Sequence, residues 1–270
     1  MRTSTLERTA TYVVLLLAAV LALYPVCLIL VKAVQPDAVG AAAGVDLGNF
    51  AEAWDEGQFG SYLRTSVIVT ACVVLGASLL AAMAGYAFGT MRFPGSTVLF
   101  YVLLLGLMVP SEAIVIPLYY TFSSLDLTST YTSVIAPQVA QSLAFGSFWM
   151  RAYFRSTPRE LVEAARLDGA GHWRTFWSVL VPLGRPAIFT MVLLVFMWTW
   201  NEFLIPLVML INNSSLNTAP LGLSNFQGQY TSGTALLAAA GVLIALPVVA
   251  VYIAFQRYFV RGLLEGAVKG

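Results

Sequence analysis

Six long apolar stretches, at about 11–33, 62–89, 97–120, 131–153, 186–211 and 234–258, alternate with more polar intervals along the chain. Each is long enough for a helix of about 20 residues, the length that crosses roughly 30 Å of hydrocarbon. A helix satisfies its backbone groups internally, so the pattern predicts an all-α integral membrane protein with six transmembrane helices. Pro110, Glu112 and Pro117 interrupt the third stretch, and Pro137 and Gln138 dilute the fourth. Such interruptions are tolerated where the backbone faces protein or a water-filled cavity. The second stretch is rich in small residues, including Gly76, Ala77, Ser78, Ala81, Ala82 and a Gly85 to Gly89 pair at GxxxG spacing. The sixth repeats the habit from Gly233 to Gly241. Small residues let helices approach closely, which predicts a bundle. Pro247 predicts a kink in the last helix.

The most polar long interval, Thr157 to Pro186, lies between the fourth and fifth stretches. Thr157-Pro158-Arg159-Glu160 reads as a capping box, with a hydroxyl at the N-cap, proline at the first helical position and glutamate at N3. Gly169 is a natural stop because it tolerates a left-handed backbone. A second amphipathic run, His172 to Leu180, is expected to end at Pro182. Leu161, Ala164, Ala165 and Leu167/Asp168 recur at helical spacing, which predicts a small apolar face and leaves Arg159, Glu163 and Arg166 for a partner. The interval reads as a docking element.

Composition agrees with a bilayer. The chain is 59% hydrophobic and 10% charged, against roughly 25% charged in a soluble domain. A formal net charge of +1 gives no reason to expect nucleic-acid binding. Arg2 and Arg8 precede an apolar run from Thr11 that is too long for a signal-peptide core, so the start reads as a retained signal anchor. With the N-terminus in the cytoplasm, twelve of the 14 cations fall inside and only Lys32 and Arg64 outside. By the positive-inside rule, both termini and the Thr157 interval are cytoplasmic.

Candidate chemistry is sparse. His172 is the single histidine, and Cys27 and Cys72 lie in separate apolar spans. Neither a metal site nor a catalytic constellation can be assembled from them, because both need partners. The two lysines, Lys32 and Lys269, follow no glycine-rich loop and precede no Ser or Thr, so the chain lacks a P-loop. Any ATP-driven step must therefore take its nucleotide site from another polypeptide. Glu112 and Glu202 are the acids placed at membrane depth, where a carboxylate is a functional hypothesis by default. For Glu112 the plainer alternative is a cap on a broken helix at Ser111, and Glu202 can sit at the outer end of its span. Trp198, Trp200, Asn201 and Glu202 combine aromatic faces with polar groups, as a sugar ring requires. An interfacial aromatic belt explains the tryptophans equally.

Glu163-Ala164-Ala165, three residues, Gly169, nine residues, then Val179-Leu180-Val181-Pro182 resembles the EAA motif of ABC importer permeases, with valine at two positions of the usual I-x-L-P. The longer run from Glu163 to Ile188 is similar to the carbohydrate branch, the maltose-type permeases. Trp200-Asn201-Glu202-Phe203 and the ending from Phe255 to Gly270 resemble the same branch. The resemblance covers nearly the whole chain and implies one permease domain over 1–270, with an EAA coupling loop at 157–182. It implies a non-catalytic subunit in a prokaryotic plasma membrane that imports a carbohydrate. The implied partners are a second, related permease forming a heterodimer, or a copy of this chain, with two ATPase subunits that hold ATP and Mg, and an extracytoplasmic solute-binding protein. Glu163, Ala164, Ala165, Asp168, Gly169 and Pro182 are the implied ATPase-coupling residues. A self-sufficient secondary carrier or channel, using Glu112 and Glu202 for its ions, is the alternative.

Overall fold

The computed structural model describes residues 5–36, 44–229 and 234–267. Among the described residues every regular element is helical. The chain divides into two compact units, Met1–Gly60 with Gly222–Leu246, and Ser61–Leu221 with Pro247–Gly270.

In the first unit, α1 (Thr5–Ala33) is apolar around its whole circumference and exposes nearly all of it. A helix of that kind requires apolar surroundings, which the bilayer supplies. The short α2 (Gly48–Glu56) is tied to the end of α1 by the buried Asn49, whose Nδ2 donates to the carbonyls of Ala33 at 3.0 Å and Gln35 at 2.8 Å.

The second unit begins in α3 (Phe59–Thr90) and continues through α4 (Ser96–Met108), α5 (Ser111–Ser124) and α6 (Tyr131–Ser156). The third apolar stretch is thus two helices, bent by 99°. The residue before a proline is driven out of the α region. Val109, ahead of Pro110, is extended at φ −85° and ψ 118°, and the break falls there. Helices α7 (Arg159–Leu167) and α8 (His172–Leu183) occupy the polar interval, followed by α9 (Arg185–Trp200), α10 (Leu204–Met209) and α11 (Ala219–Gln229). The last helix, α12 (Thr234–Ala267), runs unbroken through Pro247.

Pro182 does not end α8, contrary to expectation. Residues Phe176–Leu180 form a π-helical turn in which the Val181 N–H reaches the Phe176 carbonyl. The wide turn absorbs the hydrogen bond that Pro182 cannot donate, and the helix continues to Leu183. The chain then bends by 80° into α9.

Among the described residues, three helices are long and apolar enough to cross a membrane by themselves, Thr5–Ala33, Phe59–Thr90 and Thr234–Arg257. The number reaches five when each bent pair, α4–α5 and α8–α9, is taken as one span. Helix α6, 26 residues long, is not among them, because polar residues including the buried Ser133, Gln138, Ser142 and Ser147 lower its hydropathy. It is the packing centre of its unit. Gly85 and Gly89 of α3 bring the two backbones together, and a Cβ at Gly89 would stand 3.0 Å from the Cβ of Phe154. A Cβ at Gly146 of α6 would press on both the Ala81 Cβ of α3, at 2.6 Å, and the Met191 Sδ of α9, at 2.9 Å. Val69, Val73, Ala77, Met150, Phe154, Phe176, Leu180 and Met191 form the buried core between these helices.

Candidate functional site

Two places carry chemistry, the α7–α8 loop and a cavity beside α6. The N-terminus of α7 departs from the expected capping box. Thr157 precedes a proline and is extended, and its Oγ1 donates back to the Tyr153 carbonyl at 3.3 Å, closing the last turn of α6. Helix α7 begins without a side-chain cap. Its other end meets the expectation for Gly169, which adopts φ +78°. The Ala170 N–H bonds to the Ala165 carbonyl at 2.9 Å, and the Gly169 N–H to Arg166 at 3.0 Å. This is a Schellman ending, and it satisfies two of the carbonyls a helix leaves open.

The buried face of α7 also differs from the one expected. Val162 packs onto the core and Ala165, three residues on, is buried, while Leu161, Ala164 and Leu167 are exposed beside Glu163. Leu167 is 90% exposed. A nine-residue helix resting on α8 offers that neighbour one narrow stripe, and its remaining apolar residues stay free. Asp168 and Gly169 are exposed at the turn. Helix α8 is held firmly in its turn. Phe176 packs against Tyr86 at 5.3 Å and Phe154 at 6.4 Å between ring centroids, and the Tyr153 hydroxyl donates to the Leu183 carbonyl at 2.9 Å.

The cavity, of about 530 Å³, lies between α6 and the end of α9. Gln138, Gln141, Ser142 and Phe145 line one side, and Trp198, Asn201 and Glu202 the other. Phe145 and Trp198 meet edge to face, with centroids 4.7 Å apart. The polar pair also secures the break after α9: Asn201 Nδ2 donates to the Met197 carbonyl at 2.7 Å, and Glu202 Oε1 accepts from the Ile205 N–H at 3.0 Å. Trp200 is not in this group. Two residues beyond Trp198 on a helix, it faces the opposite way. It is 2% exposed, stacks on Phe196 at 5.8 Å and lines a separate apolar cavity with Val74, Phe189 and Val251. Glu112 sits exposed in the first turn of α5 and does not line the polar cavity.

Residues 77–265 match the family described as binding-protein-dependent transport system inner membrane component. The chain belongs to that family. Among curated relatives, this inner-membrane component is 36% identical over 225 residues to the arabinooligosaccharides transport system permease protein AraQ of Halalkalibacterium halodurans, covering 83% of this chain and 80% of that protein. It is 33% identical over 223 residues to the diacetylchitobiose uptake system permease protein NgcG of Streptomyces coelicolor, covering 82% and 74%. Its fold is shared, at TM-score 0.78 and 23% identity over 96% of this chain and 99% of the other, with a chain in the crystal structure of a bacterial ABC transporter involved in the import of the acidic polysaccharide alginate.

The family match spans both the α7–α8 loop and the cavity. Of the residues singled out in the sequence for a substrate path, the fold brings together Trp198, Asn201 and Glu202, and separates Trp200 and Glu112 from them. It adds Gln138, Gln141 and Ser142. Their spacing of three and four residues is a one-sided polar stripe on a helix, a signal legible in the sequence.

Proposed function

We propose that this chain is the permease subunit of an ATP-driven ABC importer that carries a carbohydrate into the cell. In this reading it crosses the membrane six times, with α1, α3, the α4–α5 pair, α6, α9 and α12, and both termini are cytoplasmic. The distribution of its arginines supports that orientation. One permease domain spans 1–270, and residues 157–182 form its coupling loop.

The observation that carries the proposal is the construction of α7. It is short, ended by a Schellman turn and seated by Val162 and Ala165 on α8, yet it presents Glu163, Ala164 and a bare Leu167 outward. A helix ended this way can pass a displacement from a partner into α8 and α9 without fraying. The partners in this reading are two ATPase subunits that bind ATP and Mg, a related second permease and an extracytoplasmic solute-binding protein. This chain has no catalytic role. Glu163, Ala164, Asp168 and Gly169 belong to the ATPase-facing edge, while Ala165 seats the helix and Pro182 lies in α8. The cavity beside Trp198, Asn201 and Glu202 lies on the substrate path. Its mixture of aromatic faces, amides and a carboxylate suits sugar rings and hydroxyls. The relatives named for arabinooligosaccharides and diacetylchitobiose support the substrate class.

Reconstitution tests this directly. The chain in proteoliposomes with its partner permease, ATPases and binding protein takes up sugar only when ATP is supplied. Uptake by the chain alone, driven by an ion gradient, would make it a secondary carrier instead.

A further inference from the structure

The charge of the polar cavity limits what it can accept. Resting on the reading that this cavity lies on the substrate path, we infer that it is a subsite for uncharged glycans that rejects anionic ones, with Gln138 and Gln141 of α6 as the hydroxyl-binding side chains and Glu202 as the discriminating group. Of the described residues that line the cavity, Glu202 alone is charged, and no Lys, Arg or His is present. Anionic sugars such as uronates or phosphosugars are held by cations, through charge-assisted hydrogen bonds that this lining cannot offer. Here they meet a carboxylate of like sign. Beside the bond each makes to its own helix backbone, the amides of Gln138 and Asn201 keep one donor and an acceptor, and the Gln141 amide adds a further donor and acceptor set, which neutral sugar hydroxyls require.

The position of Glu202 is fixed. Its Oε1 accepts from the Ile205 N–H at 3.0 Å, so the carboxylate is held at the cavity wall where α9 ends. Gln138 is equally placed, 4% exposed, with Nε2 donating to the Val134 carbonyl at 3.0 Å. Gln141 lies one turn further along the same helix face.

The test uses the complete transporter in nanodiscs without its binding protein, whose own selectivity would mask that of the permease. Saturation-transfer NMR reads the binding of two probes, maltotriose and maltotriose oxidised to the uronate at its terminal C6. The wild type is expected to bind maltotriose at least tenfold more tightly than the uronate. In Glu202→Gln, which keeps an oxygen to accept from Ile205, the preference falls to within about twofold. Gln141→Ala weakens maltotriose about tenfold. Equal binding of both probes by the wild type, or a preference that persists in Glu202→Gln, overturns the charge-exclusion role. Binding of neither probe, or maltotriose binding untouched by both Gln141→Ala and Trp198→Ala, overturns the path reading itself and the inference with it.

Discussion

The hydroxyl of Tyr86, on α3, lies 3.3 Å from Nδ1 of His172 and 3.3 Å from the His172 carbonyl. This pair joins α3 to the first residue of α8, so the α7–α8 loop is bonded to α3 as well as packed against it. Tyr86 also stacks near Phe176, which anchors the same helix. A hydrogen bond of this kind contributes about 1 kcal/mol. Tyr86→Phe should keep the aromatic packing and lose only the polar link. The expected result is normal assembly with a several-fold lower ratio of sugar transported to ATP hydrolysed. An unchanged ratio in proteoliposomes would remove Tyr86 from the coupling route.

Gly169 tests a different property. A Cβ placed there meets no atom within 4 Å, yet φ is +78°. Any penalty for substitution is therefore conformational, about 1 kcal/mol or more for a side chain forced left-handed. Asparagine tolerates that region better than other residues. Gly169→Asn should retain most transport, and Gly169→Val should lose most of it, with faster amide exchange in α7. Equal activity of the two variants would show that the Schellman ending is not needed.

These two positions mark what the sequence could and could not reveal. Gly169 was legible because one residue type and one local bond pattern decide the turn. Thr157 was misjudged because its hydroxyl had two acceptable partners, and the proline after it turned the backbone toward the carbonyl of Tyr153. Arg159, Glu163 and Arg166 are exposed as expected, but the apolar face of α7 differs for a tertiary reason: which stripe is buried depends on where α8 lies, and helical spacing within nine residues fits several. Trp198 and Trp200 read alike in sequence, but the fold sends them to different cavities. Gln138, with Pro137, reads in sequence as diluting a span, and Gln141 and Ser142 beside it go unremarked. In the fold that polarity faces protein and a cavity, which is why α6 falls outside the helices apolar enough to cross alone.

Leu167 separates docking from folding. It is 90% exposed, so Leu167→Asp should change stability by no more than about 0.5 kcal/mol. On the ATPase-facing edge it would place a charge at a desolvated contact. Co-purification with the ATPase subunits should fall at least tenfold, while the melting temperature of the isolated permease stays within error. Intact co-purification would move the docking surface elsewhere, and a large drop in melting temperature would show that Leu167 is part of the fold.

The contact between α3 and α6 yields a paired prediction in which two glycines of one helix behave differently. A Cβ on Gly85 would collide with the Met150 Cβ and lie 2.9 Å from the Arg151 backbone nitrogen. Neither atom can move without displacing α6. A Cβ on Gly76 would find only the Val139 Cγ2, at an ordinary 3.7 Å. Overpacking a close contact costs about 1–3 kcal/mol. Gly85→Ala should therefore lower the thermal stability of the purified complex, and Gly76→Ala should leave it unchanged or slightly raised, since alanine favours the helix. The measurement is the unfolding temperature of each variant in the same detergent. Equal shifts would mean that α3 and α6 do not meet at Gly85, and the close approach at the centre of the second unit would have to be abandoned.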